Sequence, residues 1–381
     1  MNKTISFSRI IIALLVVLTS CSKEELLTTT DPTPPVKDTA AGTPPVVPGP
    51  VNRHITANLR AIVKVGAVRY DSIAAELQVT SWDSSGNAFH NILRLAPGRN
   101  AIQLAEKFPR HKFTMKAWNT EKSVEMTREE VVAAGVIELE TARAAKKLRS
   151  ESSFILIQGT DQQQSKTDYY YHDNGNLRKI DFYQKKPEVW ELQLTWIDHF
   201  SYTGNKVKNI RRTNGAGQDA IQTSFSYHAA GFLEHIHQSG FGNETYAYIA
   251  GPVNAENGEV TIDYLFSNGQ AMTYNMTFRN GNKVEETATG STGAGEGGEF
   301  TYDQNVNPYN QMNWPDLYLR NLSKNNRTLE NKGYTGSIPS VIPYRTVFTY
   351  DEDGYPVQMI KSYKNPINND HLYDIKTLYF Y

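Results

Sequence analysis

One phrase, repeated through the second half of this chain, restricts its fold more than any other feature. It is an aromatic-x-aromatic pair, a polar turn containing Gly or Asn, then an aliphatic residue and often Ile. One copy reads Tyr169-Tyr170-Tyr171-His172-Asp173-Asn174-Gly175-Asn176-Leu177-Arg178-Lys179-Ile180. Others run from Phe200 through Gly204 to Ile210 and from Phe225 through Gly231 to Ile236. Weaker copies start at Tyr264 and Phe278, later ones at Phe300 and Phe348, and the closing Tyr379-Phe380-Tyr381 repeats the aromatic half. Aromatics at i and i+2 share one face of a strand, and an Asn/Asp-Gly turn supplies the positive φ that tight hairpins need. Each copy therefore predicts a β-hairpin, and neighbouring hairpins stack their aromatics into one apolar layer.

The start of the chain has a different character. Lys3 and Arg9 precede the apolar run Ile10 to Leu18, too short to span a bilayer as a stable helix, which ends at Leu18-Thr19-Ser20-Cys21. Cys21 is the only cysteine, so disulfide frameworks and cysteine-based zinc sites are excluded. The run resembles a bacterial lipobox: residues 1–20 are a lipoprotein signal peptide and Cys21 is the lipid attachment point. Ser22-Lys23-Glu24-Glu25 resembles the export tag of bacteroidete lipoproteins sent to the exterior face of the outer membrane. Cleavage removes Lys3 and Arg9, so no polybasic segment aids the membrane and anchoring rests on acyl chains. Residues 22–52 hold seven of the chain's 17 prolines, giving residues 21–52 the character of an acylated Pro/Thr-rich stalk.

Residues 53–150 read as a small immunoglobulin-like β-sandwich with one short helix. Leu59–Val65, Leu77–Trp82 and Phe113–Trp118 alternate as strands, with turn chemistry at 83–87 and 97–100. Thr127-Arg128-Glu129-Glu130 is a capping box opening a helix that stops at Gly135, and Ala142–Leu148 has helical composition. Of 22 tyrosines only Tyr70 precedes Tyr169, which sets the boundary with the repeat domain near residue 150.

The repeated phrases resemble the YD-type repeats of bacteroidete surface lipoproteins of unknown function. So does the stretch from Phe300-Thr301-Tyr302-Asp303 through Asn307-Pro308-Tyr309 to Ser323-Lys324-Asn325-Asn326. The resemblance covers residues 151–381 and implies a curled or barrel-like, porin-like antiparallel sheet behind a lipoprotein signal. The fold class expected is thus all-β, a sandwich followed by an antiparallel hairpin-repeat sheet. The copies are spaced irregularly, 25 residues from Tyr202 to Tyr227 and 48 from Tyr302 to Tyr350, which argues against a regular solenoid.

Catalytic chemistry has little purchase on this sequence. There is no G-x-S-x-G and no H-E-x-x-H, and a lipidated Cys21 is no nucleophile. The G-x-G-x-x-G at 293–298 is followed by a strand, not the helix that nucleotide binding requires. His235 and His237 share a strand face without a completing ligand, and Asp351-Glu352-Asp353-Gly354 has the residues of a turn, so no metal or other cofactor is expected. With 39 basic and 40 acidic residues the chain lacks the positive excess of a nucleic-acid binder. The expectation is a non-enzymatic binding or structural protein. Trp190, Trp196 and Trp314 are the candidate ligand-binding residues because indole faces stack on sugar rings. Trp314-Pro315-Asp316 starts a short helix in a long insertion between Tyr309 and Tyr344. The partners expected are the membrane through the lipid anchor, and a glycan or an outer-membrane protein. A glycan hydrolase is the least favoured alternative.

Overall fold

The computed structural model describes residues 53–381 except 72, 158–159, 187–190, 252–255, 291–294, 313, 316–321, 336–339 and 365–369. For 332, 334–335 and 340–342 it describes the backbone alone. Cys21, the Ser22–Glu25 tag and the stalk lie outside the described residues, as do Trp190 and Asp316 onward of the helix expected after Trp314; Pro315 itself is described and is not helical.

Two four-stranded sheets come first. In one, β1 (His54–Val65) pairs antiparallel with β2 (Val68–Tyr70) and β5 (Arg99–Ala105), and parallel with β8 (Ile137–Arg143). The other runs β4 (Ala88–Leu95), β3 (Ala75–Trp82), β6 (Arg110–Ala117), β7 (Thr120–Thr127). Alternation turns Leu59 and Val63, Leu77 and Val79, Phe113 and Met115, and Leu139 into one buried cluster shared by both sheets. The capping box forms as expected: Thr127 Oγ1 accepts from the Glu130 N–H, the Glu130 carboxylate accepts from the Thr127 N–H, and α1 covers Arg128–Ala133. The helix expected over Ala142–Leu148 does not form. β8 runs on to Arg143, and beyond it Lys146 is tied to Asp351 at 2.7 Å while Leu148 is buried in the second core. Tertiary contacts override the helical composition there.

Sixteen strands follow in chain order: β9 (Ser150–Ile157), β10 (Thr160–Tyr171), β11 (Leu177–Lys185), β12 (Leu192–Thr203), β13 (Lys206–Asn214), β14 (Asp219–Tyr227), β15 (Leu233–Gly240) and β16 (Asn243–Ala250). Then come β17 (Gly258–Phe266), β18 (Ala271–Arg279), β19 (Asn282–Gly290), β20 (Gly295–Tyr302), β21 (Arg327–Thr335), β22 (Ser340–Tyr350), β23 (Pro356–Lys364) and β24 (His371–Phe380). Each pairs antiparallel with the next, and β24 pairs with β9, so the sheet closes into a barrel. The region between Tyr309 and Tyr344, expected as an insertion, is therefore partly wall: β21 and the start of β22 belong to the barrel.

The repeated phrase marks the hairpins at one end of the barrel, its base. Both aromatics point inward, the first buried (Tyr169, Phe200, Phe225, Phe300 and Tyr379 are 5–8% exposed) and the second at the rim. The rim tyrosines donate to carbonyls nearby: Tyr171 to Leu148 at 2.8 Å, Tyr227 to Val207 at 3.0 Å and Tyr381 to Pro356 at 3.0 Å. At the second aromatic the register slips, leaving Arg178, Lys208, Glu234 and Val357 each as the extra residue of a bulge. In a regular strand Leu177 and Ile180 would face opposite ways; the bulge turns both inward. The same holds for Val207 with Ile210 and Leu233 with Ile236, all buried. The aliphatic-x-x-Ile half of the phrase is thus the sequence of a bulged hairpin.

Alternation sets the wall's polarity. Along β17, Val260, Ile262 and Tyr264 are buried inside while Glu259 and Asp263 are exposed outside; along β18, Tyr274, Met276 and Phe278 face in and Asn275 faces out. Lys166, Asp168, Lys179, His199, Arg211 and Glu299 continue the charged outer face. A membrane-spanning barrel is apolar outside and polar within. Along β17 and β18 the pattern is the reverse.

The two sheets dock on the base. Arg143 pairs with the carboxylate and carbonyl of Asp353, Lys146 bridges Asp351 and Asp353, and Tyr355, fully buried, meets Tyr381 edge-on at 5.1 Å. Asp351 and Asp353 of the turn are thereby neutralised by cations of the segment before β9.

Candidate functional site

Residues 303–326 connect β20 to β21, and their described parts, 303–312, 314–315 and 322–326, fold back into the base. Ordinary Asn and Ser side chains tie them down. The Asn325 amide N–H donates to Asn282 Oδ1 at 3.0 Å and Asn282 Nδ2 to Asn325 Oδ1 at 2.9 Å; Asn325 Nδ2 reaches the Asn305 carbonyl. Asn307 Nδ2 donates to the Ser323 carbonyl at 2.7 Å, Asn326 Nδ2 to that of Val306 at 3.1 Å, and the Lys283 N–H to Ser323 Oγ at 3.1 Å. The Ser323-Lys324-Asn325-Asn326 motif is the clamp of this plug, because a buried backbone needs such partners.

The plug and the inner face of β20–β23 enclose an open cavity of about 300 Å³. Tyr302, Tyr309, Phe348 and Tyr379 supply ring faces, and Arg327, Glu330, Lys361 and Asn326 supply polar groups. Arg327 and Lys361 each stand 3.4 Å from a different Glu330 oxygen. Arg327 lies over the Phe300 ring at 4.0 Å, and Lys361 over Tyr344 at 4.9 Å and Tyr363 at 5.3 Å. Beside the cavity, inside the wall, the Tyr309 hydroxyl donates to Glu151. Burial pushes the Glu151 carboxyl up, against the lowering effect of hydrogen bonds from Tyr309, Tyr169 and Thr167. Rigid aromatic faces with fixed donors and acceptors suit a polar ring-shaped ligand.

Asp303 anchors the plug: its Oδ1 accepts from the Asn305 and Asn326 N–H groups at 3.0 Å, and its carboxylate from Tyr350. Burial raises its pKa from 3.8 to about 6, only partly offset by those bonds. A carboxyl whose folded pKa lies above its unfolded value stabilises the fold below the unfolded value. It loses that contribution as pH rises through the folded one. Stability should therefore fall between pH 4 and 6, and Asp303→Asn, a neutral mimic, should flatten that slope. Denaturant titrations at pH 4, 5, 6 and 7 measure it; an unaltered slope in the variant would assign the effect elsewhere.

The sequence-derived candidates are scattered. Trp314 is half-buried in the plug, edge-on to Phe200 at 5.7 Å, with its Nε1 buried and without a hydrogen-bond partner. Trp196 faces inward on β12, edge-on to Phe241 at 6.1 Å. Both stand on the inner side of the wall, and neither lines the cavity described above. His237 stacks on Tyr246 at 4.4 Å on the outer wall, with His235 edge-on to Tyr248. Among the described residues no three His, Cys, Asp or Glu side chains stand close enough to hold a metal. Arg327, Glu330 and Lys361 were not singled out in the sequence, and no local pattern marks them: register alone brings them together.

The fold and site define a closed antiparallel barrel with a plugged base and a polar, aromatic-lined cavity. No family profile and no curated protein matches the sequence. Among solved structures the chain is similar to a porin-like protein from Bacteroides uniformis ATCC 8492, with TM-score 0.44 and 13% identity, over 61% of this chain and 97% of that one. It is also similar to a porin-like protein from Bacteroides vulgatus ATCC 8482, with TM-score 0.40 and 12% identity, over 61% and 99%.

Proposed function

We propose that this chain is a lipid-anchored, surface-displayed, non-enzymatic binding protein whose ligand, a saccharide, enters the barrel. Cys21 carries the acyl chains, Ser22 to Glu25 direct export, and the stalk holds an immunoglobulin-like sandwich and the barrel off the outer membrane. The outer wall supports this placement: charged residues such as Glu259, Asp263 and Arg211 stand in water at no cost, whereas in lipid at the midplane an Arg such as Arg211 costs about 2–4 kcal/mol and a carboxylate somewhat less. The observation that carries the binding reading is the cavity between the plug and β20–β23, where ring faces alternate with fixed polar groups.

A polysaccharide panel tests it, with saturable binding to residues 53–381 expected and Lys361→Met weakening it at least tenfold. Tyr246→Ala on the outer wall should leave the affinity unchanged. No saturable binding across the panel would overturn the saccharide reading.

A further inference from the structure

The sheet β4–β3–β6–β7 has two outer strands of unlike character. β7 carries Glu121, Lys122 and Glu125 and runs directly into α1. Charges of this kind blunt an edge against unwanted pairing. β4 has fewer: Arg94 on the strand and Lys107 from a neighbouring loop, 5.9 Å over the Phe89 ring. All eight of its residues pair with β3 in an unbroken register, and among the described residues no strand lies beyond it. Alternate backbone N–H and C=O groups along β4 therefore face outward. Phe89 is 48% and Ile92 64% exposed. The only permanent charge on the strand itself is Arg94, near its end, and His90 is engaged by Thr80 at 3.0 Å. Such an edge accepts one thing readily, another extended strand.

The sequence of β4 is complementary to itself. Pairing with β3 puts Phe89, Asn91 and Leu93 on the side of Ser81, Val79 and Leu77, the face that covers the sandwich core. In an antiparallel pair of two β4 strands centred on Asn91, Phe89 falls opposite Leu93 of the second copy. His90 then falls opposite Ile92, Ala88 opposite Arg94, and Asn91 opposite itself. On the core face Phe89 and Leu93 meet across the axis on either side of the paired Asn91 residues, Leu95 falls opposite Asn87, and no like charges oppose. We propose that β4 is a homodimer interface: two copies join β4 to β4 about a two-fold axis at Asn91, making one continuous sheet from two four-stranded ones.

The register can be read by cross-linking. In the full chain carrying Cys21→Ala, so that an added thiol is alone, Asn91→Cys should oxidise to a covalent dimer. Directly opposed residues of antiparallel strands lie about 4.5–5.5 Å apart at Cα, within disulfide reach. Lys122→Cys on β7 should stay monomeric. Sedimentation equilibrium of the unmodified chain should show a mass rising toward twice the monomer's with concentration. Ile92→Lys, checked for an unchanged melting temperature, should weaken that association at least tenfold. A monomer mass throughout, with no covalent dimer from Asn91→Cys, overturns the proposal. So does equal cross-linking of Lys122→Cys, which would mark random collision. Cross-linking of Asn91→Cys in cells to a different protein overturns the second copy in favour of an unlike strand donor.

Discussion

Removing residues 378–381 should fray the base end of the closing seam and lower the melting temperature by more than about 10 °C. β24 closes the wall by pairing Tyr379 with Glu151 and Phe380 with Ser150, and the Arg149 N–H donates to the Phe380 carbonyl at 2.7 Å. Tyr379 is 6% exposed and meets Tyr309 of the plug at 6.3 Å; Tyr381 packs on Tyr355 at the junction with the first two sheets. Losing one buried aromatic costs about 3–5 kcal/mol, so Tyr379→Ala alone should lower the melting temperature by roughly 6–10 °C at about 2 °C per kcal/mol. The deletion adds the lost strand pairing to that. A thermal melt followed by circular dichroism decides the matter; an unchanged midpoint would mean the seam contributes nothing.

Gly354→Ala should destabilise the chain by about 3 kcal/mol and free the segment leading into β9 for proteolysis. Gly354 sits at φ +73°, a left-handed conformation costing a side-chain-bearing residue about 1–2 kcal/mol. An added Cβ would lie 2.7 Å from Trp118 Nε1 and 2.8 Å from Cε2, part of a rigid ring, and such overpacking costs about 1–3 kcal/mol more. The same turn holds Asp351 and Asp353 against Lys146 and Arg143, so its displacement exposes Arg143 to Arg149 to trypsin. Limited trypsin digestion should cut there several-fold faster in the variant; an equal rate would show that the turn does not govern the docking.

The hairpin domain was legible in the sequence because its signal is local. An aromatic pair, a glycine turn and an aliphatic residue lie within twelve positions, from Tyr169 to Ile180, and side-chain alternation does the rest. The bulge was written there too, in the spacing of three between Leu177 and Ile180, though only the register gives that spacing its meaning. β21 was missed because Arg-Thr-Leu-Glu-Asn-Lys-Gly-Tyr-Thr has no aromatic pair and follows the plug rather than a tight turn. The cavity was invisible for a different reason. Arg327, Glu330 and Lys361 come from two separate strands, and Tyr309 from a loop, so only the pairing of β21, β22 and β23 and the docking of the plug make them neighbours. Ala142–Leu148 was misread because its fate depends on Asp351 and Asp353, some two hundred residues away.

The seam between β9 and β24 also sets a timetable. Ser153 and Thr377, 224 positions apart, share a 3.0 Å hydrogen bond across it. Local hairpins can form as soon as both of their strands exist, but the wall cannot close until β24 has emerged. The entropy of bringing such distant segments together must be overcome before any contact rewards it, which slows folding. Until then β9 and the growing end both present open edges, so the chain needs protection from aggregation for the whole of its synthesis.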